Sequence, residues 1–222
     1  MKANKKNLAA VLGVVLAGLV FPRYSALADS VSFEQLSAEW EQWALSIPYP
    51  QNPMLDTTGE KSMVGQRRDI WFLAGVFNGG TATRTCSVPA GKSIYFPITN
   101  YVIFNTPTID QVNWSVKAER QECAKIIDKA TNLSATVDGR PIKNLTRVQS
   151  EVIAVALPKE NVFDSSGKSN WDGIYSPGVD DGYYVLLTPL SVGPHVLHFH
   201  AETPVAIQDV TYNLTVVQVL TK

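Results

Sequence analysis

The stretch DVTYNLTVVQV, residues 209–219, decides the fold. Val210, Tyr212, Leu214 and Val216 alternate with Thr211, Asn213 and Thr215. Successive side chains of a strand point to opposite faces, so this period of two describes a strand with one face in a core and one in water. Upstream, GYYVLLTPL (182–190) runs through the turn SVGP into HVLHFHAET (195–203), which carries the same signal. Earlier segments repeat it. RTCSVPAGKSIYFPITN (84–100) reads as strand, Pro-Ala-Gly turn, strand, and EVIAVALP (151–158) as a further strand. LSATVDGRPIKNL (133–145) is a hairpin signature with Asp138-Gly139 at its tip. Several short strands separated by turn signals predict a mainly β protein, an antiparallel β-sandwich of immunoglobulin-like or jelly-roll-like type.

Two helices are expected to flank the sandwich. In SFEQLSAEWEQWALSIP, Phe33, Leu36, Trp40, Trp43 and Ile47 recur at spacings of three and four, Ser32 and Gln35 form a capping box, and Pro48 ends the helix. The tryptophan pair at this spacing predicts packing on a sheet rather than a sugar platform. A second helical pattern runs from Asp110, a candidate N-cap, to Ala130, with Val112, Val116, Cys123 and Ile127 near one face.

The chain opens with Lys2, Lys5 and Lys6, an apolar run from Leu8 to Phe21, and the small-residue exit Ala26-Leu27-Ala28. This is the grammar of a secretory signal peptide cleaved after Ala28, because the run is shorter than the ~20 residues a spanning helix needs. Residues 29–222 are then one β-sandwich domain, in a secreted or periplasmic protein of bacterial type without a transmembrane segment in the mature chain. The leader takes four of the nineteen basic residues and none of the twenty acidic ones, which moves the net charge from −1 to −5. That balance gives no electrostatic reason to bind nucleic acid.

The two cysteines, Cys86 and Cys123, read first as a disulfide in an oxidising compartment, and as buried thiols otherwise. All three histidines lie in HVLHFHAE (195–202). His198, His200 and Glu202 share the polar face of that strand, with neighbours roughly 6.6 Å apart, close enough for two rings to approach one zinc or copper ion. The competing reading is a solvated strand face. A second candidate, for glycan binding, is the irregular loop YPQNPMLDTTGEKSMVGQRR (49–68) with Asn52, Asp56, Gly59, Glu60 and Gln66, joined by Trp71 and by Trp171 in the polar loop DSSGKSNWDG (164–173). Rings stack on pyranose faces and carboxylates and amides bind hydroxyls, while a solvated loop and core tryptophans are the plainer alternative.

Other chemistries find little support. The AGKS of the Pro-Ala-Gly turn lacks the first glycine of a phosphate loop, whose place is taken by Cys86. No G-x-S-x-G elbow exists, and the histidines all sit on one strand, which disfavours a serine hydrolase.

The blocks GQRRDIWFLAGVF, RTCSVPAGKSIYFPITN, VDGRPI and DGYYVLLTPLSVGPHVLHFH resemble a family of uncharacterised exported bacterial proteins over roughly residues 40–216. The resemblance implies a β-sandwich and supplies no catalytic residues. Members often carry a cysteine near the position of Ser62. The closing strands also resemble the last strands of immunoglobulin-like domains, which implies that His195 is structural. The expectation is therefore a non-enzymatic binding or structural protein for a glycan or other surface ligand, with a metal-dependent enzyme or metal-binding protein on His198 and His200 as the alternative.

Overall fold

A computed structural model describes residues 31–66, 68–109, 111–163 and 171–219. The expected signal peptide, residues 1–28, lies outside the described residues, as does Asp110. Helix α1 spans Phe33–Ser46, where the Ser32 hydroxyl caps it by accepting from the Gln35 N–H at 3.1 Å. Helix α2 spans Val116–Ile127, and its N-cap is Ser115, so Val112 precedes the helix rather than lying on it. The strands are β1 (Ile70–Phe72), β2 (Gly80–Pro89), β3 (Ser93–Phe104), β4 (Thr131–Val137), β5 (Arg140–Pro141), β6 (Thr146–Gln149), β7 (Ile153–Leu157), β8 (Gly173–Leu187), β9 (Gly193–Glu202) and β10 (Ile207–Val217).

Among the described residues these strands make two five-stranded sheets. The first runs β1-β3-β8, with β6 and β7 both paired to β8; the second runs β2-β10-β9-β4-β5. Most pairs are antiparallel, as the pattern predicts. β1 with β3 and β2 with β10 are parallel, because each brings together strands that no tight turn connects.

The layers explain why the strands read differently. β3 and β8 are buried on both faces. Tyr95 and Tyr184 pack under α1 with Trp40, Trp43 and Phe72, while Ile94, Phe96, Ile98 and Val185 face the second sheet. SIYFPIT and YYVLL are accordingly near-continuous apolar runs. β10 has one covered face, hence its clean alternation: Val210, Tyr212, Leu214 and Val216 are buried, and Thr211, Asn213 and Thr215 face outward. Core apolar burial of this kind contributes roughly 25 cal/mol per Å² and is the main force holding the layers. The expected sandwich with two flanking helices is what forms. The tryptophan pair of α1 packs inward, with Trp40 Nε1 donating to Leu73 O at 2.9 Å and Trp43 Nε1 to Val64 O at 3.0 Å.

The expected disulfide is not present: Cys86 and Cys123 are both free. The topology explains it. Cys86 lies on β2, an edge of the second sheet, whereas α2, which carries Cys123, packs on β8 and β3 of the first sheet. Cys86 sits against the Ser62 hydroxyl, and Cys123 is sealed beneath α2 with its thiol toward Val179 O. Burial raises both thiol pKa values, so neither is an activated nucleophile.

Candidate functional site

His198 and His200 do share the outer face of the second sheet, as their spacing predicts. Each ring, however, has its own carboxylate. His198 Nε2 lies 2.8 Å from Asp209 Oδ1, and His200 Nε2 lies 3.4 Å from Glu202 Oε1. Among the described residues no group of three or more His, Cys, Asp and Glu side chains is arranged to hold a metal ion. Asp209 is the residue sequence reasoning missed here. It stands opposite His200 in the β9–β10 register, and the alternation of DVTYN puts it on the outer face.

His195 makes an arrangement the sequence conceals. Its Nδ1 is 2.8 Å from Asp138 Oδ2, at the tip of the β4–β5 hairpin, and its Nε2 is 3.2 Å from Ser191 Oγ. Serine, histidine and aspartate stand here in the order of an acyl-transfer triad. The chemistry argues otherwise. Nε2 is also 2.9 Å from the Ser191 carbonyl, an acceptor that requires a proton on that nitrogen. The Asp138 carboxylate first, and the Ser191 carbonyl second, raise the imidazole pKa and favour the charged, doubly donating ring. A general base needs the opposite. His195 is a clasp that ties two turns together. Asp138 also accepts from Val196 N at 2.9 Å, and it adopts φ 51°, the left-handed conformation expected of an Asp-Gly turn.

The loop candidates are committed to backbone. Asn52 is fully buried, and its amide donates to Ala44 O at 2.7 Å and Ile47 O at 2.9 Å while accepting from Met54 N. It thereby satisfies carbonyls at the end of α1. Asp56 accepts from Thr58 N and Oγ1, Gly59 N and Lys61 N at 2.7–3.0 Å. Burial works to raise its pKa, but these donors, Lys61 N–H foremost, outweigh it and hold the carboxyl below its usual value. Gln66 donates to Ser62 O and Phe72 O and accepts from Phe72 N. Trp71 is buried between the sheets. Trp171 is half-buried, with its ring 5.2 Å from that of Phe163. The structure therefore brings Asn52, Asp56 and Gln66 together as the scaffold of one loop and leaves Trp171 elsewhere.

Beneath that loop lies Arg84, 1% exposed. Its guanidinium donates to Asp56 O at 2.6 Å, to Gly75 O at 3.1 Å, to Ala74 O, and to Tyr212 Oη at 2.6 Å. Among the described residues no carboxylate is ion-paired with it; backbone carbonyls carry the charge. The signal was in β2 itself. Ala82, Arg84, Cys86 and Val88 occupy alternate positions, so an arginine on that row is on the inward face.

A second buried polar centre joins α1 to the first sheet. Glu41 of α1 and Asp180 of β8 are 2% and 0% exposed. Asn100 of β3 donates its amide to both, at 3.1 Å in the case of Asp180 Oδ1, and Tyr184 donates its hydroxyl to Asp180 Oδ2 at 2.6 Å. Burial, above all, raises both carboxyl pKa values. On α2, Glu119 is also buried, with neither carboxyl oxygen hydrogen-bonded, and burial pushes it up to about 7 against the pull of Arg120.

No protein-family model matches the chain, and no curated protein matches it. Among solved structures the chain aligns with the solution structure of Amebosin at 14% identity, over 61% of this chain and 96% of that one. The TM-score is 0.18, a likeness that carries no argument about fold or function. Among the described residues no helix is long and apolar enough to cross a membrane.

Proposed function

We propose that this protein is a secreted or periplasmic, non-enzymatic binding module whose contact surface is the outer face of the second sheet, with a glycan or similar polyhydroxylated surface ligand as its target. One observation carries the reading. The outward positions of β2, β10, β9 and β4 hold not a single lysine or arginine. The register aligns short polar side chains instead, in rows such as Thr83–Thr211–His198–Thr136 and Thr81–Asp209–His200–Ser134. Long charged side chains would lose up to ~2 kcal/mol of rotamer freedom each when immobilised. Threonine, serine and β-sheet histidine lose less, so the face is pre-organised for contact. Strands about 4.8 Å apart present hydroxyl, imidazole and carboxylate groups at a spacing suited to sugar hydroxyls.

The test is binding to an oligosaccharide panel, followed by Thr211→Arg at the centre of the face. Loss of binding by tenfold or more with unchanged stability is expected; a variant that binds as before places the ligand elsewhere. The competing reading puts zinc or copper on His198 and His200, with both rings turned away from their carboxylates toward one ion beside Asp209. Equilibrium dialysis separates the two: uptake of one zinc per chain at micromolar concentration, abolished by His198→Gln, favours the metal.

A further inference from the structure

The Glu41 and Asp180 carboxyls meet no cation among the described residues. Among the described residues neither carboxyl is hydrogen-bonded or ion-paired to a lysine, arginine or histidine. Arg147 of β6, the strand paired with this part of β8, binds Asp181 through both its Nε and Nη2, each at 3.0 Å. Asp181 is the next residue along β8, and its side chain emerges on the other face of the sheet. Around the pair, β3 contributes Asn100 and Tyr95, β8 contributes Tyr184, and α1 adds Glu34, whose charge reaches Tyr95. Ser150 donates nothing to the carboxyl; its hydroxyl accepts the Asp180 backbone N–H at 2.9 Å. On the α2 side stand Cys123 and Glu119, which are also acids. Every titratable group facing the pair among the described residues is thus neutral or anionic.

Two carboxylates sealed together without a counter-ion cannot both be ionised, because each would be desolvated and would repel the other. Asn100 makes the arrangement specific. Its amide has two N–H donors and one oxygen, so it can bridge an acceptor on each side but cannot supply the missing positive charge. That charge has to be a proton held between Glu41 and Asp180.

We propose that Glu41 and Asp180 form a proton lock on α1: the helix stays docked on the first sheet while the pair shares one proton and loosens when both are ionised. Docking is where the proton acts, because Glu41 is the α1 side of the contact and Asn100 and Asp180 are the sheet side. The exported setting that the sequence suggests is one whose pH the cell does not hold constant, so the lock makes the packing of the first sheet responsive to its surroundings. This inference is independent of which ligand the second sheet takes.

The sign follows from linkage. Both carboxyls bind protons more tightly in the folded chain than in the unfolded one, where they titrate near ~4. Stability contributed by the pair is therefore greatest at low pH and is lost as pH rises; over the interval in which the folded pair holds one extra proton, the unfolding constant increases about tenfold per pH unit. The test compares purified wild type with Glu41→Gln by urea denaturation from pH 5 to pH 9. The substituted amide keeps the shape of the acid, accepts from Asn100 and donates to an ionised Asp180. The wild type is expected to lose stability steadily, and the variant to lose about one proton's worth less. His195 and Glu119 remain in both proteins, so their contributions cancel in the difference. Infrared absorption of a protonated carboxyl near neutral pH, present in wild type and reduced in the variant, gives a readout that a merely structural role would not move. Trp40 and Trp43 report α1 directly: their emission should shift at alkaline pH in wild type before it does in the variant. Parallel pH profiles, or a folded wild type without the protonated-carboxyl band, overturn the proposal.

Discussion

Arg84 and the Glu41–Asp180 pair are both buried polar centres, and both join a strand to something packed upon it. They solve burial in opposite ways. Arg84 finds its partners in the backbone: three carbonyls and the Tyr212 hydroxyl surround a guanidinium that cannot lose its proton. Loop and turn carbonyls are plentiful, so a buried cation can be satisfied without any acid nearby. The pair meets no such supply of charge. Its neighbours donate hydrogen bonds but bring no cation, and it must carry its own proton. The first centre is indifferent to pH, and the second is set by it.

Removing one centre should therefore hurt at every pH, and disturbing the other should hurt in a pH-dependent way. The largest effect is expected for Arg84→Met, which takes the donor from the buried carbonyl of Asp56 and from the half-buried one of Gly75. A loss of about 3–5 kcal/mol in urea denaturation, equal at pH 5 and pH 8, is the expected outcome; a loss that changes with pH would break the contrast. Gly182→Ala comes next. A methyl group there would stand 2.5 Å from Asn100 Cβ and 2.7 Å from Thr99 O, so β3 and β8 must separate just where Asn100 bridges the pair. We expect about 1–3 kcal/mol of destabilisation and a pH dependence that persists to higher pH than in wild type, because the Asn100 N–H groups favour the ionised carboxyls and their displacement tightens the hold on the proton. An unchanged profile would show that Asn100 does not tune the proton of the pair.

The smallest effect is expected at His195. Its folded pKa is raised by Asp138 and the Ser191 carbonyl, so its contribution is fully present below the unfolded value near ~6.5 and fades as pH rises through the folded one. His195→Gln should cost stability at pH 5.5 and little at pH 9. If hydrolysis of an activated ester by wild type disappeared in this variant and in Ser191→Ala, the clasp would be a working triad after all.

Much of the architecture was legible. The alternation of β10, the Asp138-Gly139 turn and the three-and-four stripe of α1 are local patterns, and each element formed where its pattern lay. The site was far less so. His198 and His200 share a face as a period of two demands, but Asp209 reaches that face from the next strand, and only the packing of β9 on β10 pairs it with His198. Asn52, Asp56 and Gln66 read as loop polars open to a ligand. They are instead the donors and acceptors that let a long loop be buried, and composition does not distinguish the two uses. Cys86 and Cys123 read as a pair because they are two. The layering separates them, Cys86 on the second sheet and Cys123 on a helix packed against the first.

Local patterning alone was enough to set the class of the molecule, because burial on one face or both writes a period into the chain whatever the strand's partners are. Which polar groups meet inside it was left to the packing. Asn100 stands 59 residues from Glu41 and 80 from Asp180, the two acids it joins. Separations of that kind are closed by strand order and by the seating of a helix, and no local pattern encodes them.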